Sequence, residues 1–571
     1  MSQLGPPVPG ASPVLEAPIS LAHVARRKAT PARAAPGGRS RPWPLLGAAG
    51  PTALIVVLVL YRLGARSIWL DEGFTFAAAS QHGSALLAAA LKDGGTALSY
   101  YIGMHFWMEL FGSTEFALRL PTAIAAIGAV PVCFAFLERL FDRRAALFGA
   151  TFVAASVGFV FWSQNARAYV VAVFFVCCSM LALVCAVQGR GRRAWAAYAV
   201  LTALAIYTLV LSVLVVVAQV LSLLVVGHWR DLPKRQLGFS LGAIALLGAP
   251  LVWVFVDHGT GAASWIAPPG PLFDLNNRYL FDFLASTRSV GVPYSPVSVG
   301  YLTVATVVCW ALAGGQFAYR LATRRTEETT WAYGLLFAWF TLPPALNYLI
   351  SDTVQPLLSD RYIIDALPAA SMVIGVALSR LRPWPLALAA ALVMAVWRVS
   401  LILPGYGVSL ENWRQGVTEV VARAQPHDCI AFFVADGYSP FDYYVEHSKD
   451  LPGPVPAPVL PDAPWSSRGA YALDPEAVPI SRWPRVVASC PRLWLLRTHA
   501  VGAPPGHGVL AYRVREYRAS VALQAELSSS YRAEPTWWFR GVHVFLYVRR
   551  GQVGQGRPAD HTMSARRATS G

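Results

Sequence analysis

Eleven apolar stretches follow one another between residues 46 and 402, each bounded by polar or basic residues, which is more greasy surface than a soluble fold could bury. They run roughly over 46–63, 117–138, 145–162, 168–188, 195–209, 211–227, 237–256, 298–319, 331–350, 362–379 and 384–402. A helix rises 1.5 Å per residue, so about 20 apolar residues cover roughly 30 Å of hydrocarbon. The chain is 55% hydrophobic and 14% charged, where a soluble domain carries about 25% charged residues. The expectation is an all-α polytopic membrane bundle of about 11 transmembrane helices.

Lys and Arg collect in cytoplasmic loops, and this rule fixes two doubtful segments. The run from Trp195 to Gly227 is too long for one crossing, and basic residues flank both ends: Arg190, Arg192 and Arg193 before it, Arg230, Lys234 and Arg235 after it. Two short helices turning near Tyr207-Thr208 put both ends on one side. The segment Thr96 to Gly112 is apolar but short and carries Tyr100, Tyr101, His105 and Glu109, which suits an interfacial helix. If it crossed, the clusters around Arg139, Arg190, Arg230, Arg320 and Arg380 would all fall outside; kept at the surface, it leaves them all inside.

The expected organisation follows. Residues 1–43, rich in Pro, Ala, Gly and Arg, form a disordered basic cytoplasmic tail with no cleaved signal. Residues 44–403 form the transmembrane domain, with interfacial helices in a first external loop at 64–115. Residues 404–550 return to soluble patterning, with strand-like runs at Cys429–Val434, Arg492–Leu496 and Val542–Val548 and helix-like stretches at Glu411–Ala424 and Ser520–Ser529. They read as a small extracytoplasmic α/β domain, followed by a disordered tail at 551–571. Cys429 and Cys490 each precede a strand there, and an oxidising exterior permits a bridge between them. The expected location is the plasma membrane, multi-pass, with the N-terminus cytoplasmic.

The net charge of +16 raises nucleic acid as a partner, but the basic residues form neither one face nor a reader motif. They mark a membrane side, and membrane lipids are the expected surroundings. None of the seven cysteines forms a metal-type CxxC pair.

Against this background Asp71 and Glu72, just beyond the first apolar run, need a reason, because charge beside a spanning segment is costly. Other ionisable residues expected outside lie at the ends of different helices: Lys92, His105, Arg167 and the pair Asp360-Arg361. Helix ends can converge on one pocket. A carboxylate beside guanidinium groups suggests a proton acceptor facing an anionic leaving group. Departure of a phosphate needs a fixed cation, which Arg361 and Arg167 can supply in bidentate form. An acceptor hydroxyl needs a positioned base, here Asp71, and Tyr169 and Tyr362 can flank the sugar or phosphate. The simpler readings are that Asp71 caps an interfacial helix beginning at Gly73 and that Arg167 only anchors a helix end.

The strings WLDEGFTFA (Trp69–Ala77), SYYIGMHFWMELFGSTEFALRLPTAIAAIGAV (Ser99–Val130), FVFWSQNARAYVVAVFF (Phe159–Phe175), LLSDRYIIDALPA (Leu357–Ala369) and ENWRQGVTEVVARAQPHDCIAFF (Glu411–Phe433) resemble, in this order, the GT-C superfamily of polytopic glycosyltransferases. The nearest branch groups protein O-mannosyltransferases with the lipid A aminoarabinose transferase. The likeness runs from about residue 60 to 435 and is strongest from about 66 to 185.

The resemblance implies a GT-C-type bundle acting on the extracytoplasmic face, with a polyprenyl-phosphate sugar as donor and a glycan, lipid or protein as acceptor. It makes Asp71 the catalytic base or its close partner, and Glu72 its support or a contact for the acceptor. Gln164, Arg167, Tyr169, Arg361 and Tyr362 become the donor-binding set, and Tyr100, Tyr101 and His105 shape the acceptor groove. The family usually has an acid where Asn165 stands. That departure removes a residue that could serve as metal ligand or second acid, so no metal-binding residue is assigned and a divalent cofactor is left open. Thr96-Ala97 replaces the Pro-Pro or His-Pro step of relatives, and substrate contacts there do not carry over. A transporter or lipid-sugar flippase is the alternative, as is a non-catalytic cell-envelope scaffold. Transporters, however, show internal repeats and ionisable residues near the midplane, neither of which this sequence displays.

Overall fold

Caps and proline positions set where the helices begin. Thr114, Asp142, Ser156, Ser295 and Asn412 each accept a hydrogen bond from a backbone N–H one turn into the helix they precede, satisfying donors that a helix start leaves open. Pro296, Pro368 and Pro385 fall in the first helical positions, where a missing N–H costs nothing.

The computed structural model describes residues 44–92, 97–225, 232–257, 266, 268–270, 275–289, 292–323, 328–448, 452–460, 483–499 and 511–551. The tails expected at 1–43 and 551–571 lie outside them, Gly551 excepted, as do Arg230, Arg324, Arg325, the side chain of Lys92 and much of the loop 257–297.

The helices, in order, are α1 (Pro44–Leu60), α2 (Leu70–Ala79), α3 (Gly83–Lys92), α4 (Leu98–Phe111), α5 (Glu115–Leu140), α6 (Arg143–Ala154), α7 (Val157–Ser163), α8 (Tyr169–Val187), α9 (Arg192–Thr208) and α10 (Val213–Val225). They continue with α11 (Lys234–Asp257), α12 (Leu275–Leu284), α13 (Pro296–Ala322), α14 (Glu328–Thr353), α15 (Leu367–Ser379), α16 (Trp384–Ile402), α17 (Trp413–Arg423), α18 (Tyr438–His447), α19 (Trp483–Ser489) and α20 (Ala511–Ser530).

All eleven apolar stretches are helical. Among the described residues, six helices are long and apolar enough to cross a membrane: α5, α8, α11, α13, α14 and α16. The stretch 145–162 is not one straight helix: α6 and α7 meet at a 57° bend near Ala155, and together they make a seventh candidate. The remaining four stretches give shorter helices, α1, α9, α10 and α15. The run from Trp195 to Gly227 breaks after Thr208, where Leu209 is extended and a 3-10 turn leads into α10. Small residues allow close packing within the bundle. A Cβ on Gly375 of α15 would stand 2.2 Å from the Gly149 nitrogen of α6, a backbone approach of the kind small residues permit between membrane helices.

Contacts sort the helix ends into two groups. At one end, Arg380 bonds Asp142 at 2.8 Å, the Arg320 and Arg380 guanidiniums lie over Tyr333 and Phe141 respectively, and the start of α1 meets Phe134 and Arg143 at Gly47. At the other end, the α1 C-terminus meets Gln164, and the segment between α1 and α5 folds into α2, α3 and α4.

The C-terminal part contains a five-stranded sheet of order β2-β1-β3-β5-β4, with β1 Cys429–Phe433, β2 Ala457–Leu460, β3 Arg492–Arg497, β4 Tyr531–Phe539 and β5 Val542–Arg549. β1 runs parallel to β2 and β3, while β5 pairs antiparallel with β3 and β4. Alternation along a strand sends residues to opposite faces. Ile430 and Phe432 pack with α17, α18 and the α2–α4 loop, while Ala431 and Phe433 pack with Leu523 and Leu527 of α20. Cys429 and Cys490 form a disulfide, their Cα atoms 5.8 Å apart.

Candidate functional site

Asp71 and Glu72 stand in the first turn of α2, where the helix dipole favours negative charge. Trp69, at the cap position, offers no side-chain capping bond. The cap is supplied from far along the chain: the Leu70 N–H donates to Glu411 Oε2 at 3.0 Å. The Ile68 N–H similarly donates to Tyr444 Oη at 2.8 Å, and Gly73 lies so close to Pro440 that a Cβ would meet its nitrogen at 2.8 Å. Helix α2 is therefore held between the bundle and α18.

Consecutive helix positions point about 100° apart, so the two carboxylates part ways. Glu72 is fully buried. Its Oε1 accepts from Arg119 Nε at 2.7 Å and the Ala166 N–H at 2.8 Å, and its Oε2 from Arg119 Nη2 at 2.6 Å. Arg119, from α5, also donates to the carbonyls of Leu63, Arg66 and Ser67. Both Glu72 oxygens are thus committed to the scaffold.

Asp71 faces the other way and keeps 16% of its side chain exposed. Arg361 Nη1 donates to its Oδ2 at 2.7 Å, and Arg167 Nε is 3.9 Å from the same oxygen. Arg167 Nη1 donates to the Asp71 carbonyl, Thr75 Oγ1 and Tyr101 Oη at 3.1 to 3.3 Å, which positions it over the Tyr169 ring. The Arg361 guanidinium lies 5.8 Å from the rings of both Trp69 and Trp162. Trp69 is held by its indole N–H on Asn165 Oδ1 at 3.0 Å. Asn165 therefore has a job in place of an acid: it orients the aromatic wall of Arg361. Burial alone would lower the Arg361 pKa, but Tyr169, Asp71, Tyr362 and Asp360 outweigh it and hold the guanidinium charged above its ordinary value.

The structure thus brings Asp71, Arg167, Tyr169, Arg361 and Tyr362 together, with the two tyrosine rings 6.4 Å apart. Tyr101 joins them through Arg167. Tyr100 is buried on α4, and burial raises its phenol pKa. Gln164 does not join: its amide donates to the carbonyls of Val59 and Tyr61 at 3.0 and 2.9 Å, closing the end of α1. His105 turns instead to Ala79 and Glu109. Asp360 accepts from Tyr279 at 2.9 Å and Ser359 at 3.1 Å. Sequence reasoning missed Arg119, Glu411 and the two tryptophans. The only signals were an arginine inside an apolar run and a glutamate at the head of the last family-like string. The arrangement offers a carboxylate able to take a proton and two guanidiniums able to hold an anion within one cluster.

A family model of dolichyl-phosphate-mannose-protein mannosyltransferases matches residues 97–253. Among solved structures, ArnT from Cupriavidus metallidurans bound to undecaprenyl phosphate superposes with a TM-score of 0.54 at 15% identity, covering 89% of this chain and 98% of that one. The same protein in the apo state gives a TM-score of 0.57 at 13% identity, covering 88% and 98%. No curated protein sequence matches the chain. At such identities the structural likeness is one of fold. The chain resembles the GT-C superfamily, in the branch of the mannosyltransferases and ArnT, and its mostly helical architecture with a small sheet near the C-terminus is of GT-C type.

Proposed function

We propose that this GT-C-type chain is an integral membrane glycosyltransferase that moves a sugar from a polyprenyl-phosphate carrier to an extracytoplasmic acceptor, with Asp71 as general base. The observation that carries the reading is the convergence of Arg361 and Arg167 on Asp71. The family match to mannosyltransferases and the lipid phosphate bound to ArnT support the donor class.

In the reaction, the acceptor oxygen attacks the anomeric carbon while Asp71 takes the acceptor proton. The bond from that carbon to the phosphate oxygen breaks, and the electron pair leaves with the lipid phosphate. One displacement inverts the anomeric centre. Arg361 and Arg167 meet the charge growing on the phosphate as fixed donors already in place. Without donor, Arg361 neutralises Asp71. An arriving phosphate draws Arg361 onto its own oxygens and frees the carboxylate for the acceptor. Tyr169 and Tyr362 flank the sugar, and Tyr100 and Tyr101 line the acceptor side. Glu72 and Gln164 serve by position, the first through Arg119 and the second at the end of α1. No step of this scheme runs through a metal.

The proposed topology has eleven crossings in 44–403, the short helices α1, α9, α10 and α15 included. The helix ends around Asp142, Arg320 and Arg380 are cytoplasmic; those around Asp71 and Arg361, with the domain at 404–550, are external. The clustering of basic ends away from Asp71 favours this assignment, and the plasma membrane is the proposed location.

The test is transfer by the purified protein in lipid nanodiscs supplied with radiolabelled polyprenyl-phosphate sugars, a hexose such as mannose and a pentose, and an extract of cell-envelope acceptors. Labelled product with inverted anomeric configuration supports the reading. Absence of transfer from every lipid donor, or retention of configuration, overturns it.

A further inference from the structure

Three side chains at the corner between α2 and α3 have no part in the reaction above. His82 sits in the turn entering α3, and His105 and Glu109 lie one turn apart on α4, so that they share a face. Each offers one donor atom, and the three donors lie within 4.8 Å of one another. Glu109 Oε1 is 3.4 Å from Nε2 of both histidines. Four ligands held tetrahedrally about 2.1 Å from zinc stand roughly 3.4 Å apart.

A second observation concerns orientation. His105 is buried, and its Nδ1 lies 2.9 Å from the Ala79 carbonyl. A carbonyl only accepts, so Nδ1 carries a proton, and in the neutral ring the Nε2 lone pair then points at the cluster. A metal-ligating histidine is fixed in this way, by donating its other ring N–H to a carbonyl or carboxylate.

We infer that His82, His105 and Glu109 bind a zinc-type divalent cation, which leaves a fourth position to water and clamps the α2–α3 corner onto α4. Two imidazoles and one carboxylate suit zinc better than magnesium or calcium, which prefer oxygen donors. The clamp joins the helix carrying Asp71 to the helix carrying Tyr101, and it holds independently of the reaction assigned to the chain.

The experiment uses the full-length protein in nanodiscs, stripped with a chelator and dialysed. Zinc is titrated by calorimetry, cobalt(II) by its visible absorption, and melting is followed with and without zinc. The expected result is one bound zinc, an intense tetrahedral cobalt spectrum and a higher melting temperature with metal. His82→Ala and Glu109→Gln each bind at least about tenfold more weakly, as loss of a ligand implies, and lose the zinc-dependent melting shift. Both positions are well exposed, so the chelated variants are expected to melt with the chelated wild type, which verifies their folding. Wild-type protein that takes up no zinc, or folded His82→Ala that binds it as tightly as wild type, overturns the inference.

Discussion

Arg361 and Asp71 are 290 residues apart in the chain, yet the Arg361 guanidinium rests 2.7 Å from the Asp71 carboxylate. One lies in the turn ahead of α15 and the other in the first turn of α2. The pair lies on the exposed side of α2's first turn, whereas the adjacent pair of Glu72 and Arg119 is sealed from solvent. A partly exposed pair can exchange partners, and a buried one cannot do so without cost.

Asp71→Asn removes the proposed proton acceptor but preserves the shape of the side chain. Transfer of labelled sugar should fall about 10²- to 10⁴-fold, the usual contribution of a general base. Donor binding, read by fluorescence quenching with a polyprenyl phosphate, should hold or strengthen, because Arg361 no longer has a competing carboxylate. Full-rate transfer by the variant would rule Asp71 out as base.

Arg361 is expected to tolerate no substitute. Arg361→Lys keeps the charge but loses the planar fork and its packing against Trp69 and Trp162, so it should behave more like Arg361→Gln than like wild type. Both should weaken polyprenyl-phosphate binding by about tenfold or more, the scale of 1.5–3 kcal/mol for a charge-assisted bond. A lysine variant with wild-type affinity would show that charge alone suffices.

Glu72 next to Asp71 should fail in a different way. Breaking a fully buried ion pair by removing one partner costs about 3–5 kcal/mol, and Glu72→Ala leaves the Arg119 charge buried without its counter-ion. Melting temperature and yield should drop sharply. Glu72→Met with Arg119→Met should recover part of that loss, since replacing both charges by apolar groups can be nearly neutral. A folded Glu72→Ala of normal stability but no activity would return Glu72 to the chemistry.

The bundle was legible in the sequence because apolar length and the placement of basic residues are local signals. The eleven stretches needed no tertiary information to be found, and the break after Thr208 followed from their length. The bend between α6 and α7 was not legible: Ala155-Ser156 carries no proline, and Ser156 reveals itself as a cap only once Phe159 is seen to donate to it. The site divides in the same way. Asp71, Arg167 and Arg361 stood out as charges at helix ends, but nothing in the pair Asp71-Glu72 says which one faces the scaffold. That choice is made by Arg119, an arginine within an apolar helix. Gln164 likewise stands in a family-like string yet spends its amide on the end of α1.

The disulfide joins the first residue of β1 to Cys490, two residues ahead of β3, with a sequence separation of 61. Cross-links over loops of this size typically contribute about 2–4 kcal/mol. Reduction, or Cys429→Ser, should lower the melting of the sheet while leaving the helical signal of the bundle in place. Unchanged melting in strong reductant would mean that the bridge adds no stability.

Glu411 supplies the last case, in which a residue outside the bundle sets the geometry of the proposed base. It is buried, and it accepts from the Leu70 N–H and from Trp413 Nε1 at 2.6 Å, with His499 on its other oxygen. Glu411→Ala leaves the first N–H of α2 unpaired, which costs about 1–3 kcal/mol, and lets the helix start move with Asp71 on it. A shift of about 1 Å at a catalytic group can cost roughly 10²-fold. The expected result is a loss of kcat larger than any change in donor KM, because Arg361 also packs on Trp162 and Arg167 also rests on Tyr101 and Tyr169, all outside α2. Glu411→Gln keeps one oxygen able to accept from Leu70, so it should recover most of kcat. If Glu411→Ala instead raised KM and left kcat intact, Glu411 would be acting on donor binding and not on the placement of Asp71.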